Sequence, residues 1–403
     1  MKRRTLLRGL AASGGLAAFG PARAASSAVK IGVLTDMNGP SRDMSGSGSV
    51  AAARLAVEDA GGSALGQPIQ LVNGDHQMKA DIATQLAAAM YDAQDVDLIA
   101  DVPFSAAGLA VETVSRQRKR LFIASGTGAD EFTGKFCSPY AMQWTFDSTA
   151  LARGTAGALI GRGARTFFFM TPDYAFGYSL ENAATKLINS AGGRVLGHAL
   201  FPFGTPDLSS YLLTAQSSGA DVIAIAAGPP DNVNAFKQAA SFGIGRGEKQ
   251  QLAAFLAFIN DVKATGLELA QGLVITTAFY WDRDDATRAW SQRFYAANGK
   301  MPSMTQAGVY SGVLHYLRAV QALGTKDPDA VVKRMRATPV NDMFARGGVL
   351  RPDGLMVHDL LLVKVKTPAQ SKGPWDLYDV LETIPGNSAF PAMQGEGCPL
   401  IAG

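Results

Sequence analysis

From about residue 28 the chain alternates short, almost unbroken apolar runs with longer stretches whose apolar residues recur every three or four positions. The runs at 29–34, 69–73, 98–101 and 121–124 are too short for helices and lack the alternation of a half-exposed strand. They predict strands buried on both faces. Helical spacing falls between them at 47–59, 80–92 and 105–118, and this repeated strand–helix–strand order predicts a doubly wound parallel sheet. From residue 151 the rhythm restarts: a helix to 161, a strand at 166–170, a helix at 179–190, a strand at 195–201, a helix at 208–217, a strand at 222–226 and a helix at 232–242. That is a second lobe of the same kind. A strand at 272–277 precedes two long helices, 284–298 and 305–323, which are expected to return the chain to the first lobe, and two last strands at 356–365 and 375–384 flank a turn at 367–374. No low-complexity tether separates the lobes, which suits several short crossings better than one flexible linker.

The first residues follow another logic. Lys2, Arg3, Arg4 and Arg8 precede a short apolar stretch, 9–19, and Ala22 and Ala24 supply the small residues at which a signal peptidase cuts. The stretch falls short of the ~20 residues of a membrane span. Residues 1–24 therefore read as an export signal cleaved near Ala24, with paired arginines similar to those of a twin-arginine signal. Removing them changes the charge balance. The whole chain carries a formal +3, but without Lys2, Arg3, Arg4, Arg8 and Arg23, 32 basic residues face 34 acidic ones. A nucleic-acid or anionic-surface partner thereby loses its support. At 47 % hydrophobic and 18 % charged over its whole length, the sequence is that of a folded rather than a disordered chain.

Export to an oxidising compartment favours pairing of the two cysteines. Both Cys137 and Cys398 stand in proline-containing loop sequence, so a Cys137–Cys398 disulfide is expected, tying the C-terminal tail to the body. Catalytic constellations are missing from the sequence. His76, His198, His315 and His358 stand far apart without metal-ligand spacing, and neither a phosphate-cradling glycine loop nor a Gly-x-Ser-x-Gly elbow is present. The sequence points to a binding protein without metal or cofactor, not to an enzyme.

In open parallel sheets, ligands sit beyond the carboxyl ends of the strands, where helix N-termini present free N–H groups. Ser105 and Ala106 open a helix after the third strand, and Ser125, Gly126, Thr127 and Gly128 follow the fourth. Together they offer hydroxyls and backbone N–H groups to a carboxylate. Asn38 and Asp43 follow the first strand, while Tyr174, Phe176, Gly228, Phe258, Tyr280 and Trp281 follow strands of the second lobe. Trp144 and Asp147 stand near the first crossing.

Several of these stretches resemble a known family. Ile31-Gly32-Val33-Leu34 with Gly39-Pro40, the helix end Ala56-Val57-Glu58-Asp59, Asp173-Tyr174-Ala175-Phe176-Gly177, Gln306-Ala307-Gly308-Val309-Tyr310 and the stretch 347–358 are similar to the branched-chain amino-acid type of periplasmic substrate-binding protein. The resemblance covers essentially all of the chain after the signal. It implies the type I periplasmic binding fold, an α/β architecture of two doubly wound parallel-sheet lobes joined by three crossovers that close on a small solute and deliver it to an ABC permease in the inner membrane. The lobes are expected at 29–147 with 276–350, and at 148–275 with 351–403. The family's serine after the third strand falls on Ser105, its carboxylate-binding loop on Ser125 to Gly128, and its aromatic before a loop glycine on Phe176.

Members that bind α-amino acids usually add an acidic residue in the second lobe, but the stretch 252–259 here has none. A buried ammonium without a countercharge costs several kcal/mol, so an ordinary amino acid is disfavoured unless Asp261 or Asp147 reaches in. Tyr174, Phe176, Phe258, Tyr280 and Trp281 suit a planar ring, and the chain looks closest to members that bind benzoate-like and hydroxycinnamate-like acids. The expectation is a periplasmic, monomeric receptor for a small aromatic carboxylate. A receptor for branched-chain amino acids or small amides, or a ligand sensor on the same fold, stands as the alternative.

Overall fold

A computed structural model describes residues 28–245, 250–393 and 397–401; the export signal expected at 1–24 lies outside them. Five strands form the first sheet: β1 (Lys30–Thr35), β2 (Gln70–Asp75), β3 (Leu98–Asp101), β4 (Leu121–Ala124) and β5 (Ala141–Gln143). They pair in parallel in the order β2-β1-β3-β4-β5. Both faces of these strands are apolar because both are covered. Ile31, Val33, Leu98, Ala100, Leu121 and Ile123 pack on α1 (Gly46–Asp59) and its neighbours, whereas Leu34, Ile99 and Phe122 face α2 (Ala80–Asp92) and α3 (Ser105–Arg118).

The second sheet repeats the plan with β6 (Thr166–Pro172), β7 (Arg194–Phe201), β8 (Val222–Ile225) and β9 (Gln251–Ala254), parallel in the order β9-β8-β6-β7. Its helices are α4 (Ser148–Gly161), α5 (Ala175–Ser190), α6 (Ser209–Ser217), α7 (Asp231–Ser241) and α8 (Ile259–Thr265). In each sheet the first strand lies between the second and the third. Each therefore has a switch point where the helices leave in opposite directions and a crevice opens at the strand ends. The doubly wound lobes expected from the sequence are present.

The later chain serves both lobes. An antiparallel sheet of β10 (Val274–Thr277), β11 (Leu360–Val365) and β12 (Tyr378–Ile384) shares a core with the second. Of the long helices α9 (Asp285–Asn298) and α10 (Met304–Leu323), α10 returns to pack along α1. Gly48 permits this contact: a Cβ there would stand 2.1 Å from the Gln306 amide nitrogen, which instead donates to the Ser45 carbonyl at 2.8 Å.

Two differences from the sequence reading have physical causes. The single strand expected at 356–365 is split, because His358 turns inward and its ring bonds the Thr145 and Asp359 carbonyls. The helix expected from 179 begins at Ala175, which places Tyr174 at its cap and Phe176 in its first turn. The Cys137–Cys398 disulfide is formed, with Cα atoms 5.5 Å apart.

Candidate functional site: an aromatic cleft between the sheets

The loops beyond the carboxyl ends of the two sheets face one another. From the first come Ser41 and Met44 after β1, Met78 after β2, Pro103, Phe104 and Ser105 after β3, Gly126 after β4, and Phe146. The second contributes Tyr174 and Phe176 after β6, Phe203 after β7, Gly228 and Pro229 after β8, and Leu256 and Phe258 after β9. No charged side chain lines the cleft among the described residues.

The loop after β3 is held out of ordinary backbone geometry. Asp101, Val102 and Phe104 all have positive φ, at 87°, 56° and 99°. For a β-branched residue such as Val102 this is an uncommon strain, of a kind that clusters at binding sites. Its result is to swing Phe104 across the cleft, where its ring stacks on Tyr174 at 5.6 Å and 16° and meets Phe203 at 5.8 Å. The rings leave about 30 Å³ of open space, room for a water or two. That is too little for an organic solute with the rings in this arrangement.

Ser105 is the polar centre. Its Oγ accepts the N–H groups of Gly128 and Ala129, both at 3.2 Å, so the hydroxyl proton remains free to donate. Beside it are the first-turn N–H groups of α3, which have no intrahelical acceptor. Gly126 must be small because a Cβ would stand 2.7 Å from the Pro103 Cα, and Gly128 because one would meet the Phe146 and Phe176 rings at 2.6 and 2.7 Å.

Other residues singled out in the sequence stand elsewhere. The Ser125 Oγ is buried without a partner, on the side of Gly308, and the Thr127 hydroxyl turns away to the Val102 carbonyl at 3.0 Å. Ala106 and Tyr280 do not line the cleft. Tyr280 lies in the core against Tyr378, and Trp281 bonds the Trp375 carbonyl. Trp144 is buried with its indole on Ser311. Asn38 bonds Asp75, Asp43 pairs with Lys300, and both line a separate groove together with Asp261. Conversely, Phe104, Phe146 and Phe203 line the cleft although the sequence reading does not single them out. The after-strand rule covers Phe203, two residues beyond β7.

Asp261 does not reach into the cleft. It caps α8, accepting the Phe258 N–H at 3.0 Å and the Asn232 amide at 3.3 Å, and burial pushes it up to about 6. Asp231 is held by the Gly204 N–H and is likewise pushed up to about 6 by burial. Asp101, beneath the strained loop, accepts from Ser45 Oγ at 3.1 Å, and burial raises it from 3.8 to about 6. A folded state that holds this proton more tightly than the unfolded chain keeps its full advantage below pH 3.8 and loses it as pH rises through about 6. At about 1.4 kcal/mol per unit the loss is on the order of 3 kcal/mol. Asp101→Asn, which never ionises, should therefore gain stability relative to the wild type between pH 4 and pH 7. Calorimetric melting at both values tests this, and a wild-type-to-variant difference independent of pH would refute it.

The comparisons with known proteins agree with this geometry. Residues 28–374 match the family described as periplasmic binding protein. The chain belongs to that family. This periplasmic binding protein is 45 % identical to one of the same description from Burkholderia mallei, over 93 % of its own length and 99 % of the other, with a TM-score of 0.90. It is 41 % identical to a branched-chain amino-acid ABC-transporter periplasmic ligand-binding protein of Burkholderia xenovorans, covering 92 % and 99 %, with a TM-score of 0.85. A Leu/Ile/Val-binding protein homolog of Brucella suis is 25 % identical over 321 residues, 77 % of this chain and 81 % of that protein. The periplasmic binding protein described here is accordingly the solute-binding component of an ABC uptake system, non-catalytic, taking a small organic ligand between its two lobes.

Proposed function

We propose that the solute is a small carboxylate without a charged amine, most simply an aromatic acid of the benzoate or hydroxycinnamate type. The observation that carries this reading is the lining: six aromatic rings, Phe104, Phe146, Tyr174, Phe176, Phe203 and Phe258, and, among the described residues, no charged side chain. Rings of this kind gain most from a flat apolar partner. The Ser105 hydroxyl and the first turn of α3 supply donors and a partial positive charge for the carboxylate. An ammonium group would be buried without a countercharge, since Asp231 and Asp261 are spent on backbone N–H groups.

The named relatives favour a second reading, a branched-chain amino acid, because the Burkholderia xenovorans and Brucella suis proteins carry that description. One screen separates the two. The mature protein, unfolded and refolded to strip bound solute, is melted with benzoates, hydroxycinnamates, leucine, valine and small amides. A true ligand at 100 times its Kd stabilises by about 2.7 kcal/mol. Aromatic acids alone should raise the melting temperature. A rise with leucine or valine alone would overturn the amine-free reading, and no rise with any of them would favour a sensor of another solute. The remaining parts of the proposal are cleavage near Ala24, a monomer in the periplasm, and delivery of the solute to an inner-membrane ABC permease that recognises the closed lobes.

A further inference from the structure

A second cavity, of about 510 Å³, lies apart from the aromatic cleft, between the turn Asp130–Phe132, the start of α4, one face of α5 and the chain near Arg351 and Pro391. Four carboxyls gather in it, of which Asp353 is paired with Arg351. Asp130 is fully used, its oxygens accepting the Thr149 N–H at 3.1 Å and the Thr149 hydroxyl at 2.8 Å. Asp147 uses one oxygen to cap α4, where Oδ1 accepts the Ala150 N–H at 2.6 Å. Its other oxygen, Oδ2, has no partner although the residue is completely buried, and Glu131 Oε2 is also buried and unpartnered.

The cations on the same walls make no hydrogen bond to these two oxygens, although Arg351 and Arg153 stand close enough to favour the Asp147 charge. Arg351 is paired with Asp353 and donates to the Pro391 carbonyl, Arg153 donates to the Phe390 carbonyl at 2.6 Å, and Lys186 has a partner of its own. Unpaired buried carboxylate oxygens are costly. Among the described residues no group of three or more His, Cys, Asp or Glu side chains is arranged to hold a metal ion. The cavity is instead large enough for an organic molecule.

We propose that this cavity binds a small organic cation, a primary amine or a guanidinium, whose N–H groups meet the unpartnered oxygens of Asp147 and Glu131. Burial and the neighbouring Asp130 carboxylate hold the Asp147 carboxyl well above its usual range. Proton and cation therefore compete for the site, the proton more strongly as the pH falls. Asp147 caps α4 at the first crossing between the sheets, and Asp130 and Glu131 precede that crossing, so a bound cation sits at the crossing, apart from the solute cleft.

Titration calorimetry of the full mature protein at pH 8 and low salt, with agmatine and putrescine as probes and butanol as a neutral control, tests the site. Both cations should bind and butanol should not. Asp147→Asn, which keeps a capping oxygen for α4, and Glu131→Gln should each weaken the cations at least tenfold, and affinity should fall from pH 8 to pH 5. Circular dichroism confirms that the variants fold. No binding at millimolar cation, or equal affinity for the wild type and both variants, would overturn the proposal. The probes carry neither a ring nor a carboxylate, and the aromatic-acid reading is tested by the melting screen with acids, so failure here is distinguishable from failure of that reading.

Discussion

Ser105→Ala combined with Phe176→Ala is expected to weaken solute binding by on the order of a thousandfold, with the fold retained. A hydrogen bond to a charged group contributes about 1.5–3 kcal/mol, and burying an aromatic ring against the ligand adds about 2 kcal/mol more. Both side chains touch Gly128, so the two effects are coupled and their sum is an upper estimate. The serine change has a second consequence, because its Oγ also holds the Gly128 and Ala129 N–H groups. Ser105→Ala alone should therefore lower affinity and also loosen the loop after β4. Phe176 rests on Gly128, so its loss opens space in the wall that the ring filled. Calorimetric titration with benzoate and with leucine, alongside far-ultraviolet circular dichroism, reads both effects. Unchanged affinity in the folded double variant would mean that the solute sits elsewhere.

The strands of both sheets are legible because parallel strands buried on two faces are apolar without interruption. β3, β4, α2 and α3 match their expected bounds. β9 escapes the sequence reading: Gln251–Ala254 leads straight into the apolar residues 255–259, and nothing in the sequence marks where the strand stops. The helix Pro328–Ala337 escapes it too, although its start is signalled, with Asp327 accepting the Ala330 N–H and Pro328 in the first turn. At the cleft, the after-strand rule locates the loops but not the directions of their side chains. Thr127 and Gly126 are neighbours, yet one turns to the Val102 carbonyl and the other lines the cleft. Phe104 enters the cleft only through the positive φ values at 101, 102 and 104, a backbone state that non-glycine residue types do not announce.

Cys398→Ser is expected to lower the melting temperature by on the order of 5 °C while leaving solute binding intact. The bridge closes a loop across a sequence separation of 261, for which loop-closure entropy gives a stabilisation of about 5 kcal/mol. A chain of this length absorbs about 0.8 kcal/mol per degree near its midpoint, which sets the size of the shift. The bridge stands outside the cleft, and neither cysteine lines it. The tail it anchors is also held by other contacts, since Arg153 and Arg351 donate to the Phe390 and Pro391 carbonyls. A truncated protein ending at residue 385 separates the two contributions. If the bridge acts mainly on the unfolded chain, truncation and Cys398→Ser should cost similar amounts; if tail docking matters as much, truncation should cost clearly more. Intact mass before and after reduction under denaturing conditions must show the gain of two hydrogens. A wild type whose mass and melting temperature are both unmoved by reductant would contradict the pairing.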